Sequence, residues 1–590
     1  MKKLIFSTWQ PKHLWRAAHL VWQADKTIAA INILLQLLQA LLPVLTLYFI
    51  KLLVEQLVLG INFNHVVLLL AAFGGLQLLL AMAAQFANYI QTIHQQKLAD
   101  YMLEKVLRKA IEVDYSYYEN PAYHDTLHLA QQQSLYRLPQ LLSSLSLLLQ
   151  SGSSVFFMVI FFFTLQSSFA LLFVFLCMPL ATIKWYYGFA LQKQERQFVP
   201  LEREANYLYQ SLTATSYAKE VRIFGFGNSF IAKFKKIRLY IQDEKKKLHL
   251  KLALFSLLAE VFEILAMAFI FYFLAKQAWS KAITVGVFVI YVQGFQRLQG
   301  TTKNFLQSLV QVFQLKIFLQ DLFAFFDIEL IDKAIAQIPF PTVKDGLHLN
   351  NVSFNYPATN KRVLHQINIA CKPGQIIAIV GENGSGKSTL VKLLAGLYHL
   401  EEGNIQFDGI ELNTILPSSF RNNSIFVFQD FEKYFFTVEE NIALSNTAKT
   451  LSSQNVQQAA TLSGADKFIQ KLAKGYQTRM GNLFDGSEQL SGGQWQKLTL
   501  SRMFYKDVQL IVLDEPTSSL DANAEMEIFK NVKEHLKNKM VIIISHRLYN
   551  LKMANTIYVM DDGQIAEQGS FDELVNKQGI FRKMYDAQKL

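Results

Sequence analysis

Apolar residues gather in six long runs in the first half of the chain, at roughly 27–52, 65–92, 138–164, 168–190, 249–276 and 283–308. Each meets the ~20-residue length that a helix needs to cross hydrocarbon, so six membrane-spanning helices are predicted. The stretches after the second and fourth runs are too long to be simple connectors. They mix charges with strong helix formers, which predicts helices extending beyond the bilayer. At their turning points stand "YYENPAYHD" (117–125), where Asn120 and Pro121 break one helix and start another, and the short amphipathic "SYAKEVRIFG" (216–225). The pattern changes at "FDIELIDKAIAQIPFPTVKDG" (326–346), where charges and two prolines replace membrane apolarity. Beyond it, "LHLNNVSFNY" and "VLHQINIACKPGQIIAIVG" read as strands, and later short strands alternate with helices. That alternation predicts an α/β domain with a parallel sheet core.

Composition agrees with this division. Of 590 residues, 51% are hydrophobic and only 17% charged, too apolar for an ordinary soluble protein. The net charge of +11 is distributed by topology. Lys97, Lys105, Arg108 and Lys109 follow the second run. Lys193, Arg196, Arg203, Lys219, Arg222, Lys233, Lys235, Lys236, Arg238 and Lys245 to Lys247 follow the fourth. The connections after the odd runs hold essentially Lys276 and Lys281. An excess of lysine and arginine marks the cytoplasmic side, so both long loops and both termini are expected there, and no nucleic-acid partner is expected. Residues 1–26 carry Lys2, Lys3, Lys12, Arg16 and Lys26 with Trp9, Trp15 and Trp22 and no cleavage site, the mark of an amphipathic interfacial helix rather than a signal peptide. Cys177 and Cys371 have neither disulfide nor metal-site spacing and read as packing residues.

The candidate chemistry lies in the second half. The strand "QIIAIV" runs into "GENGSGKST", which fills the phosphate-loop pattern from Gly381 through Glu382, Asn383, Gly384, Ser385, Gly386, Lys387 and Ser388 to Thr389, and a helical "LVKLLAGLY" follows. Glycines let backbone amides crowd a phosphate, Lys387 reaches the outer phosphates of ATP, and Ser388 offers a hydroxyl to Mg²⁺. A later strand, "LIVLDEP", ends in Asp514, suited to the Mg²⁺ shell, and Glu515, suited to act as general base on a water.

With these motifs in place, the carboxy-terminal third resembles an ATP-binding cassette, and residues 10–590 resemble a bacterial half-transporter of the ABC exporter type. "LSGGQ" at Leu490 to Gln494 matches the family signature in full. The resemblance implies that Ser491, Gly492, Gly493 and Gln494 meet the γ-phosphate held by a second copy of the chain, so that the paired glycines serve a ligand and not packing alone. It further implies that Tyr356 stacks on adenine, that Gln429 senses Mg²⁺ and the attacking water, that Asp521 joins the two sites of the dimer, and that His546 is the switch histidine. "YYENPAYHD" around Tyr118 to Tyr123, and Ala218 to Phe224, resemble the coupling helices. "QWQKL" and "MGNLFDGSEQ" depart from the usual pattern around the signature. With "FQDFEKYFFTVEENI" (428–442) they are similar to cassettes of lantibiotic and modified-peptide exporters.

The expected architecture is therefore an interfacial segment (1–26), an α-helical six-span transmembrane domain (27–327), a linker (328–344) and an α/β ATP-binding cassette (345–590). No leader peptidase is expected before the first span. At ~1.5 Å per residue, Glu263, one turn from Glu260, and Arg297 both lie about 20 Å below the outer ends of their helices and are expected to pair, either structurally or to select cargo charge. Lys184 is expected to snorkel toward the cytoplasmic border. The expected function is ATP-driven efflux of a peptide by a homodimer in a bacterial cytoplasmic membrane, in contact with lipid. Lipid or drug export, a metal-chelate importer, a heterodimer with a degenerate partner and a soluble ATPase acting on ribosomes or DNA are the alternatives.

Overall fold

A computed structural model describes residues 11–60, 63–119, 121–165, 167–329, 337–357, 362–400 and 402–588. Residues 1–10, Asn120 and the side chains of Cys177 and Lys184 lie outside the described residues. The chain forms two compact units, one of residues 1–112 and 122–328 and the other of 113–121 and 329–590.

The first unit is helical. Helix α1 (Pro11–Ala24) turns Ala17, Leu20 and Val21 inward and leaves Trp15 and Trp22 exposed. It is held by Arg16, which bonds both carboxylate oxygens of Asp327 at 2.6 and 2.7 Å and lies over the Phe323 ring. Asp25 ends α1 and caps α2 (Lys26–Leu59), accepting from the Ile28 amide at 2.9 Å while pairing with Lys97 at 2.7 Å. The remaining long helices are α3 (Phe63–Glu112), α5 (Pro121–Leu165), α6 (Ser167–Thr213), α8 (Gly227–Trp279) and α9 (Val285–Gln314). Short helices α4 (Tyr115–Tyr118) and α7 (Ala218–Phe224) stand at the two turning points, and α10 (Lys316–Phe326) follows α9.

Helices thus cover all six apolar runs. Among the described residues, α2, α3, α5 and α8 are individually long and apolar enough to cross a membrane, and α9 qualifies only together with α10 across a 42° bend. The physical reason is composition: Gln293, Gln296, Gln299, Asn304 and Gln307 dilute the apolarity of α9. The fourth run lies in α6, where side chains 164–181 fall outside the described residues. An aromatic core joins α5 to α9, with Phe162 stacked on Phe295 at 5.2 Å and on Tyr291 at 5.8 Å. This close stacking rests on Gly294, where any Cβ would collide with the Phe162 ring.

The expected Glu263–Arg297 pair does not form. Lys303, one turn and a half beyond Arg297, takes the carboxylates instead, at 3.3 Å from Glu260 and 3.9 Å from Glu263. Arg297 turns to α2, donating to Thr46 Oγ1 at 2.9 Å and to the Pro43 carbonyl at 3.3 Å. Depth along a helix follows from residue count, but rotation about its axis follows from packing, and rotation decided the partners.

The second unit is α/β. Strands β1 (Leu347–Asn355), β2 (Arg362–Cys371), β4 (Glu402–Phe407) and β5 (Ile410–Glu411) form an antiparallel sheet in the order β2-β1-β4-β5. The main sheet runs β10-β9-β3-β8-β7-β6, built from β3 (Ile376–Gly381), β6 (Ser424–Val427), β7 (Leu510–Asp514), β8 (Met540–Ile544), β9 (Thr556–Asp561) and β10 (Gln564–Gly569). Its neighbours from β9 through β6 are parallel, and β3, β7 and β8 are buried along their whole length. Parallel strands buried on both faces read as unbroken apolar runs, as these do.

Candidate functional site

Three strands of the main sheet end at one cavity of about 490 Å³. Strand β3 delivers the glycine loop and helix α11 (Lys387–Leu394). Gly386 at its head has φ +98°, and a Cβ there would stand 2.7 Å from Leu364. A left-handed residue without room for a side chain must be glycine. Lys387 curls back over the loop, donating to the carbonyls of Gly381 at 2.9 Å and Glu382 at 2.8 Å, with Ser385 Oγ at 3.5 Å. Burial holds its amine below the usual lysine range, against the opposing pull of Glu515 and Asp514. A cation at a helix N-terminus, hydrogen-bonded to neutral oxygens, fits a phosphate.

Strand β7 supplies the carboxylates. Asp514 is 5% exposed, and burial, then the charge of Glu515, push it up to about 6. Glu515 sits at φ +45°, a left-handed conformation that costs a non-glycine residue free energy. That turn sets its carboxylate between two neighbours: Gln429 Nε2 donates to Oε2 at 2.8 Å, and His546 Nε2, carried just past β8, lies 2.6 Å from Oε1. The cavity wall brings together Asn383, Gly384, Gly386, Lys387, Ser388, Thr389, Gln429, Glu515 and His546, with Val363 as a lining residue that no motif announced. Tyr356 is tied to this wall through its hydroxyl, 2.9 Å from Thr389 Oγ1. Hard oxygen donors suit Mg²⁺. Of the three residues expected at Mg²⁺, Ser388 and Gln429 line the cavity and Asp514 is not among its lining residues.

The signature stands elsewhere: Ser491 to Gln494 and Asp521 are not among the residues lining this cavity. Ser491 caps helix α12 (Gly492–Tyr505), its hydroxyl accepting from the Gln494 amide at 3.3 Å while the Gln494 side chain accepts from the Ser491 amide at 2.8 Å. The two glycines differ. A Cβ on Gly493 would stand 2.9 Å from the Ser519 carbonyl oxygen, whereas one on Gly492 would meet nothing nearer than 3.9 Å. Close packing against Ser519 thus requires glycine at Gly493 and not at Gly492. Asp521 caps helix α13 (Ala522–His535), accepting from the Ala524 amide at 2.9 Å, which holds its carboxyl below the usual range.

Two positioning residues escaped the sequence reading. Gln496, in the departing "QWQKL", is 2% exposed and accepts from the Ser519 amide at 2.8 Å while donating toward Ser518 Oγ at 3.3 Å and the Glu515 carbonyl at 3.5 Å. It ties the signature helix to the carboxylate turn. Glu525 is fully buried and accepts from Thr517 Oγ1 at 2.6 Å, from Tyr549 at 3.2 Å and from Arg547, next to His546. No motif requires either, although the buried rhythm of α12 hides a polar residue where an apolar one is the default.

Within the second unit, residues 113–121 lie against the cassette. Glu119 pairs with Lys392 at 2.7 Å, and Tyr115 meets Tyr398 edge-on at 5.8 Å. The Lys392 ammonium lies within 6.0 Å of the Tyr115, Tyr356 and Tyr398 ring centres, so the loop and the tyrosine expected at adenine share one cation. Of these two contact residues, Glu119 falls within the Tyr118–Tyr123 stretch named from the sequence, and Tyr115 stands three residues ahead of it.

Residues 29–302 match the family described as the ABC transporter transmembrane region, and residues 364–518 the family described as ABC transporter. The chain is 26% identical to the subtilin transport ATP-binding protein SpaT of Bacillus subtilis, over 100% of this chain and 95% of that one. It is 29% identical to the nisin transport ATP-binding protein NisT of Lactococcus lactis subsp. lactis, over 97% and 95%. It is 30% identical to an ATP-dependent lipid A-core flippase of Salmonella typhimurium over 63% of each chain. Among solved structures, a bacterial Atm1-family ABC exporter with ATP bound gives a TM-score of 0.79 at 22% identity, covering 96% of this chain and 98% of that one.

Proposed function

This chain belongs to the ABC transporters, with the transmembrane region and the ATP-hydrolysing domain in one polypeptide that drives efflux, and from that premise we propose that two copies export a peptide, modified before transport, from the bacterial cytoplasm. The cargo reading is carried by one observation: likeness to the subtilin and nisin transport proteins runs over 95% of their length, whereas likeness to the lipid A-core flippases covers 63% of theirs. The homodimer reading rests on the signature lying outside the phosphate cavity of its own chain. A second copy then closes each site with Ser491, Gly492, Gly493 and Gln494, and Asp521 faces the junction. The protein sits in the cytoplasmic membrane with its basic loops, termini and cassettes inside.

The chain's own groups divide the work. Lys387 leaves the carbonyls of Gly381 and Glu382 for the outer phosphates, and Tyr356 offers its ring to the adenine. Ser388, Asp514 and Gln429 would hold Mg²⁺, which would supply positive charge to offset that of the phosphate oxygens. Glu515, released by Gln429 or His546, takes a proton from the attacking water, and His546 then turns to the γ-phosphate. Pairing of the cassettes moves the 113–121 loop and α7, which reorients the membrane domain. Inside-out vesicles carrying the protein are expected to accumulate nisin or subtilin when given Mg²⁺ and ATP. Glu515→Gln is expected to slow accumulation by about 10²-fold or more while nucleotide binding persists. Accumulation of lipid A core in place of either peptide would reject the cargo reading.

A further inference from the structure

The turn that carries His546 is held from two sides. On one side Glu525 accepts from Arg547 and Tyr549. On the other stands helix α14 (Ile580–Gln588), which no sequence motif reaches. Its start is capped by the Glu567 carboxylate of β10, which accepts from the amides of Ile580 at 2.6 Å and Phe581 at 3.1 Å. Phe581 is fully buried and meets Phe571 edge-on at 5.7 Å, and Tyr585 meets the same ring at 5.6 Å. Leu548, two residues past His546, is buried in that apolar cluster. Helix α14 is therefore a fixed rod, anchored to the packing that also anchors the histidine turn.

We propose that Gln588, at the far end of α14, is a positioning residue for the switch histidine, an inference that rests on the reading of His546 above and adds to it the group that fixes its backbone. The Gln588 carboxamide spans the turn: Oε1 accepts from the Leu548 amide at 3.0 Å, and Nε2 donates to the His546 carbonyl. The two partners are backbone groups of opposite polarity, so they also settle which end of the carboxamide is which. This demand selects the residue type. Glutamate would set a second acceptor against the carbonyl, lysine would offer the amide nothing, and asparagine falls one methylene short. Leu548 opens a short 3-10 helix (Leu548–Met553), and the first amides of a helix have no partner within it. The clamp satisfies one of these while it holds the turn. With its backbone fixed at 546 and 548, His546 keeps only the freedom of its side chain. The imidazole, 2.6 Å from Glu515, reaches the γ-phosphate by rotation about its own bonds, and the turn does not move with it. Placement of this kind is worth one to two powers of ten in rate, roughly what a displacement of about 1 Å costs.

The test measures ATP hydrolysis by the full chain in detergent. Gln588→Met keeps the length of the side chain, Gln588→Ala favours the helix, and each removes both bonds. Each is expected to lower kcat about tenfold with the KM for ATP within about twofold of the parent, because the phosphate loop still holds the nucleotide. His546→Ala supplies the reference. In that background, with residual hydrolysis followed by radiolabelled ATP, Gln588→Met is expected to change the rate by less than about twofold, since the placement of an absent imidazole is immaterial. A role in folding alone would lower the residual rate by the same factor as in the parent, and that result overturns the inference whatever the melting temperature. A Gln588→Met protein with the parent kcat also overturns it, while a slow His546→Ala protein leaves the histidine reading standing. A His546→Ala protein with the parent kcat rejects the histidine reading itself, and the inference with it.

Discussion

Two buried glutamates divide the molecule. Glu525, in the cassette, is 0% exposed and accepts from a hydroxyl, a phenol and a guanidinium, so its charge is met within one chain. Glu263, in the membrane domain, is 3% exposed, and its Oε2 has no hydrogen-bond partner, with Lys303 standing off at 3.9 Å. A buried charge left incompletely paired is expensive. The same residue type is thus fully matched at this place in the cassette and only partly matched at this place in the membrane domain.

The sharpest way to break this contrast is to remove one glutamate at a time. Glu525→Ala opens a buried void and takes the acceptor from Thr517, while Arg547 is 35% exposed and reaches water, so the change is expected to cost about 1–3 kcal/mol, with loss of ATPase because Arg547 adjoins His546. Glu263→Gln keeps the volume and removes a charge that has little hydrogen bonding to lose. It is expected to leave stability within about 1 kcal/mol while altering peptide-stimulated turnover. Denaturant titration of the full chain in detergent measures both. Equal losses in the two variants would show that the membrane domain is as closed as the cassette.

The next effect belongs to Asp514. Its folded pKa of about 6 lies above the ordinary 3.8, so the folded chain holds this proton better than the unfolded chain does. The contribution is present below pH 3.8 and is lost as pH rises through about 6. A shift of that size corresponds to roughly 3 kcal/mol. Asp514→Asn, neutral at every pH, is therefore expected to be more stable than the parent at pH 8 and equal to it below pH 4. Mg²⁺-dependent nucleotide binding by the parent should weaken as pH falls through about 6. A stability difference that does not depend on pH would mean that Asp514 is already matched by a cation within the chain.

Sequence legibility followed the locality of the forces. The spans in α2, α3, α5 and α8 could be read because a membrane helix must satisfy its backbone within itself, and the phosphate loop because one short segment surrounds a phosphate. Gln429 and His546 were named through the resemblance, and both reach Glu515 because parallel strands that share a sheet deliver their carboxyl-terminal residues to one edge. Glu525 and Gln496 were not legible, because their partners come from separate segments that only the fold brings together. The Glu263–Arg297 pairing failed for a related reason: two residues at equal depth still need matching faces.

The smallest expected effect separates the two signature glycines. Both open α12, where alanine normally raises helix propensity by up to about 1 kcal/mol. At Gly492 a methyl group enters open space, 3.9 Å from Ser519, so Gly492→Ala is expected to leave stability unchanged or slightly higher. At Gly493 the same methyl group would press on the Ser519 carbonyl oxygen at 2.9 Å, which displaces the turn that Gln496 holds in place. Overpacking of this kind costs about 1–3 kcal/mol, so Gly493→Ala should lower the melting temperature of the full chain where Gly492→Ala does not. If Gly492→Ala nevertheless abolishes ATPase while the melting temperature holds, that glycine acts on the nucleotide through its backbone, and the difference between the pair measures how much of the signature serves the ligand and how much serves the chain that carries it.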